Sequence, residues 1–499
     1  MTGPATHGRG GREFAIDTVV VAATQLIVRL RGLVLLPLIV NLLGTAAYGV
    51  WAQVVAFASF VSALVSLNFH LPLVREIAAD RSSAGVVYTS LLLATLAISG
   101  VVGGVLALLP GPIGVVLLDS GDAARFVQLG LLLMLVNNVR MLNTNLYRAT
   151  DRLAIRSASE LLSAVGEVVG ILITLRRDGS VEDVLVFMVA WNGVIAGGQT
   201  IHGFAIAGWR TPRWSIVAAA VRYAVPLLPA SFANFALDRI DRFVVGYYHG
   251  AEGVGIYAAN YAIAGLVMMA QTPFQITLLP KVAALWDRDR DQAARYIEIS
   301  MAVFLTLAIP FVVGVPLVAG VALTVLGNST IAGEAGWTTL LIAGGVTCWG
   351  VAIIQAQVFY GARRTTAWGL LTISATGVNL VMNFAMVPWF GVAGAAAATL
   401  AAYGALAVAT TVLARPILAV RFDLRHLATC VVAAVGMAGF LLLVPPDDGP
   451  SLLVVVVLAA ALYLAILVAI RALVPAAGGR GPGDLTWLVR ALRGRGQPR

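Results

Sequence analysis

Long apolar stretches dominate this chain and constrain its fold more than any other feature. Of its 499 residues, 60% are hydrophobic and only 11% are charged, and the mean hydropathy is +0.91. A soluble domain carries about 25% charged residues. So much apolar surface is stable only in lipid, and the sequence therefore predicts an integral membrane protein.

The apolar stretches have the length of membrane-spanning helices. A hydrocarbon core about 30 Å thick takes roughly 20 apolar residues per helix. The stretches are continuously apolar and do not alternate, which favours helices over barrel strands. We expect an all-α fold of about 14 transmembrane helices, at residues 17–43, 47–71, 85–109, 124–147, 152–175, 184–208, 223–248, 252–276, 295–326, 337–360, 367–389, 392–415, 427–444 and 451–474.

Basic residues indicate how the helices are oriented, because cytoplasmic loops carry an excess of Lys and Arg. With the N-terminus inside, 25 of the 33 Lys and Arg residues fall in segments that face the cytoplasm. Only Arg125, Arg176 and Arg177 fall in segments that face out. We expect a multi-pass protein of the bacterial cytoplasmic (inner) membrane, with both termini in the cytoplasm and the first apolar stretch retained as a span.

One sequence pattern occurs twice. Gly44, Gly49 and Trp51 end the first span region with the order glycine, four residues, glycine, aliphatic, aromatic. The same order recurs 206 residues later at Gly250 and Gly255. This offset spans six predicted helices and indicates a direct repeat. We expect a six-helix lobe at 1–208, a second at 209–415, two additional helices at 416–474 and a cytoplasmic basic tail at 475–499.

Several charged residues lie inside the predicted spans, where each costs about 2.5–3.5 kcal/mol unless it meets water or a partner. Asp238 and Arg242 are four residues apart, which suits an ion pair within one helix. Such mutual neutralisation, which only holds helices together, is one interpretation of the whole set. The set consists of Arg29, Arg31, Arg140, Arg239, Arg242, Glu160, Glu167, Asp238 and Asp241.

The other interpretation is an anion-binding cavity. Neither Arg29 nor Arg140 has an acidic residue within reach on its own helix. A guanidinium offers several donors and keeps its charge, so it suits a diphosphate. We therefore expect the five arginines to bind an anionic substrate, and the four acids to balance charge or to carry a coupling ion. Polar side chains expected in the same cavity are Gln25, Asn137, Tyr257, Asn260, Asn379 and Asn383.

Three stretches resemble a known family. They are Pro37 to Trp51, Asp238 to Asn260, and Asn379 to Leu400. In these stretches the chain resembles the polysaccharide-exporter, or O-antigen-type flippase, branch of the multidrug/oligosaccharidyl-lipid/polysaccharide (MOP) flippase superfamily. The resemblance implies two MATE-like six-helix lobes around a V-shaped cavity, with two further helices at the C-terminus. It also implies that Arg29 is a cavity arginine.

The resemblance further implies that the chain exports or flips an undecaprenyl-diphosphate-linked oligosaccharide by alternating access. Expected partners are this lipid-linked glycan, membrane lipids, a coupling H⁺ or Na⁺, and a polysaccharide polymerase or glycosyltransferase. No cofactor, metal site or nucleic acid is expected, and the absence of a P-loop argues against direct use of ATP.

Two alternatives remain at this stage. The first is a cation-coupled multidrug exporter of the same superfamily. The second is a membrane glycosyltransferase or glycan ligase, in which Asp238 and Asp241 would form a metal or catalytic pair. Every outward connection is short, whereas such enzymes carry a large outward domain, so we expect a transporter and not an enzyme.

Overall fold

The computed structural model describes residues 11–118 and 123–473, and within these ranges it leaves aside the side chains of residues 11–23, 25, 26, 29, 116, 227, 230, 276 and 471–473. The described chain contains 17 α-helices and divides into two compact units, one ending at Ala258 and the other beginning at Ala259. The predicted basic tail, 475–499, lies outside the described residues.

The first unit holds nine helices and most of a tenth. They are α1 (Gly11–Leu43), α2 (Thr45–Val65), α3 (His70–Ala79), α4 (Ala84–Leu106), α5 (Pro110–Leu118), α6 (Ala124–Ala149), α7 (Leu153–Arg176), α8 (Val181–Ala207), α9 (Trp214–Ala224) and α10 (Leu228–Ala264). Helix α6 packs against α2, α4 and α8, and α7 packs against α1 and α8. These contacts make α6 and α7 the centre of the unit's polar interior.

The second unit begins in the last turns of α10. Its further helices are α11 (Val267–Trp286), α12 (Arg290–Leu326), α13 (Ser329–Gly333), α14 (Ala335–Gly361), α15 (Thr365–Ala414), α16 (Leu424–Leu443) and α17 (Gly449–Leu473). Helix α14 packs against α11, α12 and α15, whereas α16 and α17 pack against each other and against α12. The two C-terminal helices thus form a separate layer on α12.

The helices have the length and composition of membrane spans. Ten described helices are long and apolar enough to cross a bilayer, and α10 with α11, bent by 58°, forms an eleventh candidate. Helix α15 has 50 residues, about 75 Å at 1.5 Å per residue, so it exceeds twice the hydrocarbon thickness. A non-helical residue, Gly391, divides it. The two predicted spans 367–389 and 392–415 correspond to the parts on either side.

The repeated glycine pattern has a common structural basis. Gly44 lies between α1 and α2 with φ +91°, and Gly250 interrupts α10 with φ +61°. Both backbones occupy the left-handed region, which glycine adopts without steric cost. Gly49 and Gly255 lie where α2 and α10 touch, because a Cβ on Gly49 would lie 1.7 Å from the Ala251 carbonyl oxygen. In both copies, therefore, the first glycine turns the chain and the second permits close packing.

Two further connections match in backbone. Between α6 and α7, the Arg152 N–H donates to the Tyr147 carbonyl at 2.8 Å, and Asp151 has φ +58°. Between α14 and α15, the Arg364 N–H donates to the Phe359 carbonyl at 2.8 Å, and Arg363 has φ +58°. This likeness of the two turns could not be seen in the sequence, since their residues differ.

Candidate functional site

A group of charged and polar side chains lies between four helices of the first unit. We call it the arginine network, and its members are Arg31 of α1, Arg140 of α6, Ser163 and Glu167 of α7, and Asn192 of α8. Ser163 and Glu167 are four residues apart, so they share one face of α7. Tight packing keeps α7 against α8, because a Cβ on Gly166 would lie 2.1 Å from the Trp191 ring.

The network is joined by hydrogen bonds to a single amide. Arg31 Nη1 lies 2.9 Å from Glu167 Oε2, whereas Arg140 Nη1 donates to the Asn192 side-chain oxygen. Ser163 Oγ donates to that same oxygen at 3.3 Å. Asn192 Nδ2 in turn lies 3.4 Å from Glu167 Oε2. Asn192 therefore connects the Arg140 guanidinium to the Arg31–Glu167 ion pair.

The charges of the network do not cancel. Glu167 is 2% exposed and neutralises Arg31, whose side chain is 33% exposed. Within the described part of the chain, Arg140 forms no ion pair, and its Nε atom has no hydrogen-bond partner. Glu160, the other candidate partner, is paired with Arg156 at 3.0 Å. Two arginines and one carboxylate leave the network with one net positive charge, which Arg140 supplies.

A polar cleft of about 380 Å³ occurs in the same unit. Its lining includes three serines at spacings of three and four, of which Ser59 and Ser62 belong to α2 and Ser66 directly follows it. The lining also includes Asn68, Asn137, Ser231, Asp238 and Arg239. Asn137 precedes Arg140 by three residues on α6, so both lie on one side of that helix. Arg239 contacts Asp238 at 3.2 Å. The cleft thus brings together three residues that the sequence analysis selected.

The other predicted residues of the first unit have different positions. Asp241 is 2% exposed and accepts hydrogen bonds from the Tyr257 hydroxyl and from the Arg242 backbone N–H. Tyr257 is fully buried and Arg242 is half-buried. The side chains of Arg29 and Gln25 lie outside the described residues, although their backbone belongs to α1.

The predicted amides of the second unit are all buried. Asn260 accepts a hydrogen bond from Thr339 Oγ1 at 2.8 Å. Asn383 Nδ2 donates to the Asn379 backbone oxygen at 2.9 Å, and both side chains are 0% exposed. Asn260 thus ties α10 to α14, as buried polar groups of membrane proteins commonly do, whereas the bond between Asn383 and Asn379 lies within α15.

Sequence reasoning overlooked two parts of this site. Asn192, the residue that joins the network, is a single amide in an apolar helix, and nothing nearby in the sequence distinguishes it from other buried amides. Ser59, Ser62 and Ser66 could have been found, because their spacing of three and four marks one face of α2.

Comparison with known proteins decides the family. The profile of a family described as polysaccharide biosynthesis protein matches residues 15–286, more than half of the chain. The chain belongs to this family. The predicted resemblance to a polysaccharide-related protein family is thereby confirmed.

Two curated relatives of this family member come from Haloferax volcanii. The probable flippase AglR is 26% identical over 166 residues, which cover 32% of this chain and 34% of AglR. The probable low-salt glycan biosynthesis flippase Agl15 is 20% identical over 214 residues, which cover 42% of this chain and 45% of Agl15. The matches thus span less than half the length of either relative.

Solved structures show the same fold. The lipid II flippase MurJ in an inward closed conformation superposes with a TM-score of 0.76 at 11% identity, covering 91% of this chain and 99% of that one. An inward-facing multidrug-resistance MATE transporter of the MOP superfamily gives 0.64 at 14% identity, covering 79% and 97%. The predicted all-α, MATE-like membrane fold of this polysaccharide biosynthesis family member is confirmed.

Proposed function

We propose that this chain flips a lipid-linked glycan with an anionic diphosphate across the cytoplasmic membrane. The observation that carries the proposal is the net positive charge of the arginine network inside a membrane-spanning unit. Family membership and relatives named as flippases support the same conclusion. A buried positive charge is stable when an anion can approach it, and a diphosphate is the anionic part of such a carrier lipid.

Arg140 is the residue we propose to bind first. Its bond to Asn192 joins a cation to a neutral amide, and such a bond is weaker than one between two charges. A phosphate oxygen can therefore replace the amide oxygen at little cost, while Arg31 stays with Glu167. Asn137 and Arg239 line the polar cleft, where glycan hydroxyls find donors and acceptors. Arg29 joins this set by family resemblance.

Release requires that the network be stable without cargo. The Asn192 oxygen accepts one hydrogen bond from Arg140, and the acids keep the remaining charge low. We propose that Glu167 holds Arg31 throughout, whereas Glu160, Asp238 and Asp241 balance charge, one of them carrying a coupling H⁺ or Na⁺. Access to the site alternates between the two sides of the membrane, and both termini lie on the cytoplasmic side.

A cationic cargo fits less well, since it would meet the surplus positive charge of Arg140. An enzymatic role for Asp238 and Asp241 is also disfavoured, because Asp238 is bonded to Arg239 and Asp241 to Tyr257. We therefore propose a transporter that carries out no covalent chemistry and acts between enzymes that build the glycan and enzymes that polymerise or transfer it.

Complementation tests this function. Cells that lack the protein should accumulate a lipid-linked glycan on the cytoplasmic leaflet, and the wild-type gene should restore its export. Arg140→Ala should lower export at least about tenfold, because one charge-assisted bond to phosphate is worth about 1.5–3 kcal/mol. Arg140→Lys keeps the charge and should retain more activity.

Arg125→Ala is the matched control, since it removes an exposed arginine that pairs with Glu182. All variants should insert at wild-type levels, measured by quantitative immunoblotting of membranes. Wild-type export by an Arg140→Ala protein present at wild-type levels would overturn the assignment of this arginine. Absence of any accumulated lipid-linked glycan in the deletion strain would overturn the function itself.

A further inference from the structure

A second basic site lies in the second unit, at the end where α11 and α14 finish and α12 and α15 begin. A cavity of about 530 Å³ occurs there, which we call the basic cavity. Its charged lining residues are Arg290, Arg363, Arg364 and Asp287, and Trp286 forms an aromatic wall. Three arginines and one aspartate give the lining two net positive charges.

The arginines of the basic cavity are available to a ligand. Arg290, Arg363 and Arg364 are exposed, and within the described residues none of them forms an ion pair. The wall behind them is rigid. A Cβ on Gly361 would lie 2.2 Å from the ring of the buried Trp286. The guanidinium of Arg290 lies 5.6 Å from the centre of that ring.

The matching turn of the first unit has an acidic residue where the second unit has an arginine. There, Asp151 occupies the position of Arg363 in the turn, and it forms an ion pair with Arg81. Arg81 in turn corresponds to Arg290, because each directly follows an aspartate whose side chain caps the next helix, at Asp80 and Asp289. An acid–base pair in the first unit is thus replaced by two arginines in the second.

The backbone conformation of Arg363 gives a second reason to assign a role to its charge. Its φ of +58° lies in a region that few non-glycine residues adopt and in which aspartate and asparagine are enriched. The first unit follows that local preference with Asp151, which has the same φ. An arginine held there against local preference points to a role for its charge, since residues in unfavourable conformations concentrate at functional sites.

We propose that the basic cavity binds a phosphate group, carried by an anionic lipid headgroup or free in the cytoplasm. Guanidinium groups are well matched to phosphate oxygens, which accept two hydrogen bonds from one arginine. The cavity lies at the ends of helices that are long and apolar enough to span a membrane, and we expect headgroup phosphates near such helix ends. It is separate from the arginine network and does not depend on the cargo that the protein transports.

Binding to the purified full-length protein in a neutral detergent tests the proposal. Two probes distinguish the sources of phosphate: sodium pyrophosphate, and short-chain phosphatidylglycerol, with zwitterionic phosphatidylcholine of equal chain length as the lipid control. The variants are Arg363→Asp, which gives the turn the charge of its counterpart, and Arg290→Gln. Arg425→Asp is the control, because it makes the same charge change at an exposed arginine outside the cavity.

The wild-type protein should bind at least one anionic probe saturably and more weakly at higher salt. Arg363→Asp and Arg290→Gln should each weaken binding at least about tenfold, and Arg425→Asp by less than about twofold. Preference for phosphatidylglycerol identifies a headgroup as the ligand, and preference for pyrophosphate identifies a free phosphate. Absence of saturable binding, or equal losses in the cavity and control variants, would overturn the proposal.

Discussion

The first unit buries charged side chains among its helices, whereas the second unit buries uncharged amides. In the first, the Arg31–Glu167 pair and Arg140 form a network across four helices. The described buried polar residues of the second unit include no carboxylate and no arginine. Instead they include six amides that are at most 4% exposed: Asn260, Gln271, Gln355, Gln357, Asn379 and Asn383.

The two units thus repeat part of their backbone structure, but they do not repeat the positions of their charged side chains. An amide is satisfied by hydrogen bonds alone, whereas an arginine inside a membrane also needs a counter-charge or water. The first unit therefore has a field that attracts anions to its interior. The second unit is neutral inside, and its positive charge lies at the helix ends, in the basic cavity. The two units use the same turns to place charge at different depths.

The largest expected effect comes from giving the second unit a buried charge. Asn379→Asp would introduce a carboxylate where the native side chain is 0% exposed. We expect a loss of several kcal/mol, roughly 3–5, because no described cation is placed to compensate it. Thermal unfolding in detergent, followed by fluorescence, measures the loss. Asn379→Ala is the control and should cost about 1 kcal/mol of stability. If both variants lost the same stability, the prediction that this interior excludes charge would be wrong.

A smaller effect should follow when the first unit loses its buried carboxylate. Glu167→Gln leaves Arg31 and Arg140 together without a counter-charge. We expect a loss of about 2 kcal/mol, less than the roughly 3–5 kcal/mol of a fully buried pair, since Arg31 is 33% exposed. The same unfolding measurement applies. Glu182→Gln, at an exposed pair with Arg125, should change stability by less than about 0.5 kcal/mol, and a Glu167→Gln protein as stable as this control contradicts the prediction.

The smallest effect is expected at the turn between α6 and α7. Asp151→Arg gives this turn the charge of its counterpart and removes the ion pair with Arg81. Both partners are exposed, so stability should fall by less than about 1 kcal/mol. Chemical unfolding of the wild-type and variant proteins checks the value. A loss above about 2 kcal/mol would mean that the first turn, unlike the second, depends on its charge for folding.

Much of the fold could be predicted because a bilayer imposes a simple rule of length and apolarity on each span. The segments 124–147 and 152–175, for example, correspond closely to α6 and α7. The breaks inside α10 and α15 were also predicted, because Gly250 lies between the predicted spans 223–248 and 252–276, and Gly391 lies between 367–389 and 392–415. The short helices α3, α5, α9 and α13 lie in connections that periodicity does not resolve.

The charged residues of the candidate site could be predicted from the sequence, but the ion pairs between them could not. Intramembrane charge alone selected Arg31, Arg140 and Glu167, because its cost can be read from the sequence. Which arginine the acid neutralises depends on how α1, α6 and α7 pack, and a single sequence does not contain that information. The basic cavity was missed for a related reason: its arginines had already been explained by the positive-inside rule, which treats every cytoplasmic arginine alike.

The contact between α2 and α10 has a mechanical consequence. Gly49 and Gly255 let two main chains touch with no side chain between them; a Cβ on Gly255 would lie 2.4 Å from the Thr45 carbonyl oxygen. Separating such a contact requires no change of side-chain rotamer and breaks no ion pair. Its attraction is van der Waals, and a gap of about 0.5–1 Å already loses a quarter to a half of it. The two helices are therefore held here by a contact that weakens steeply as their backbones move apart.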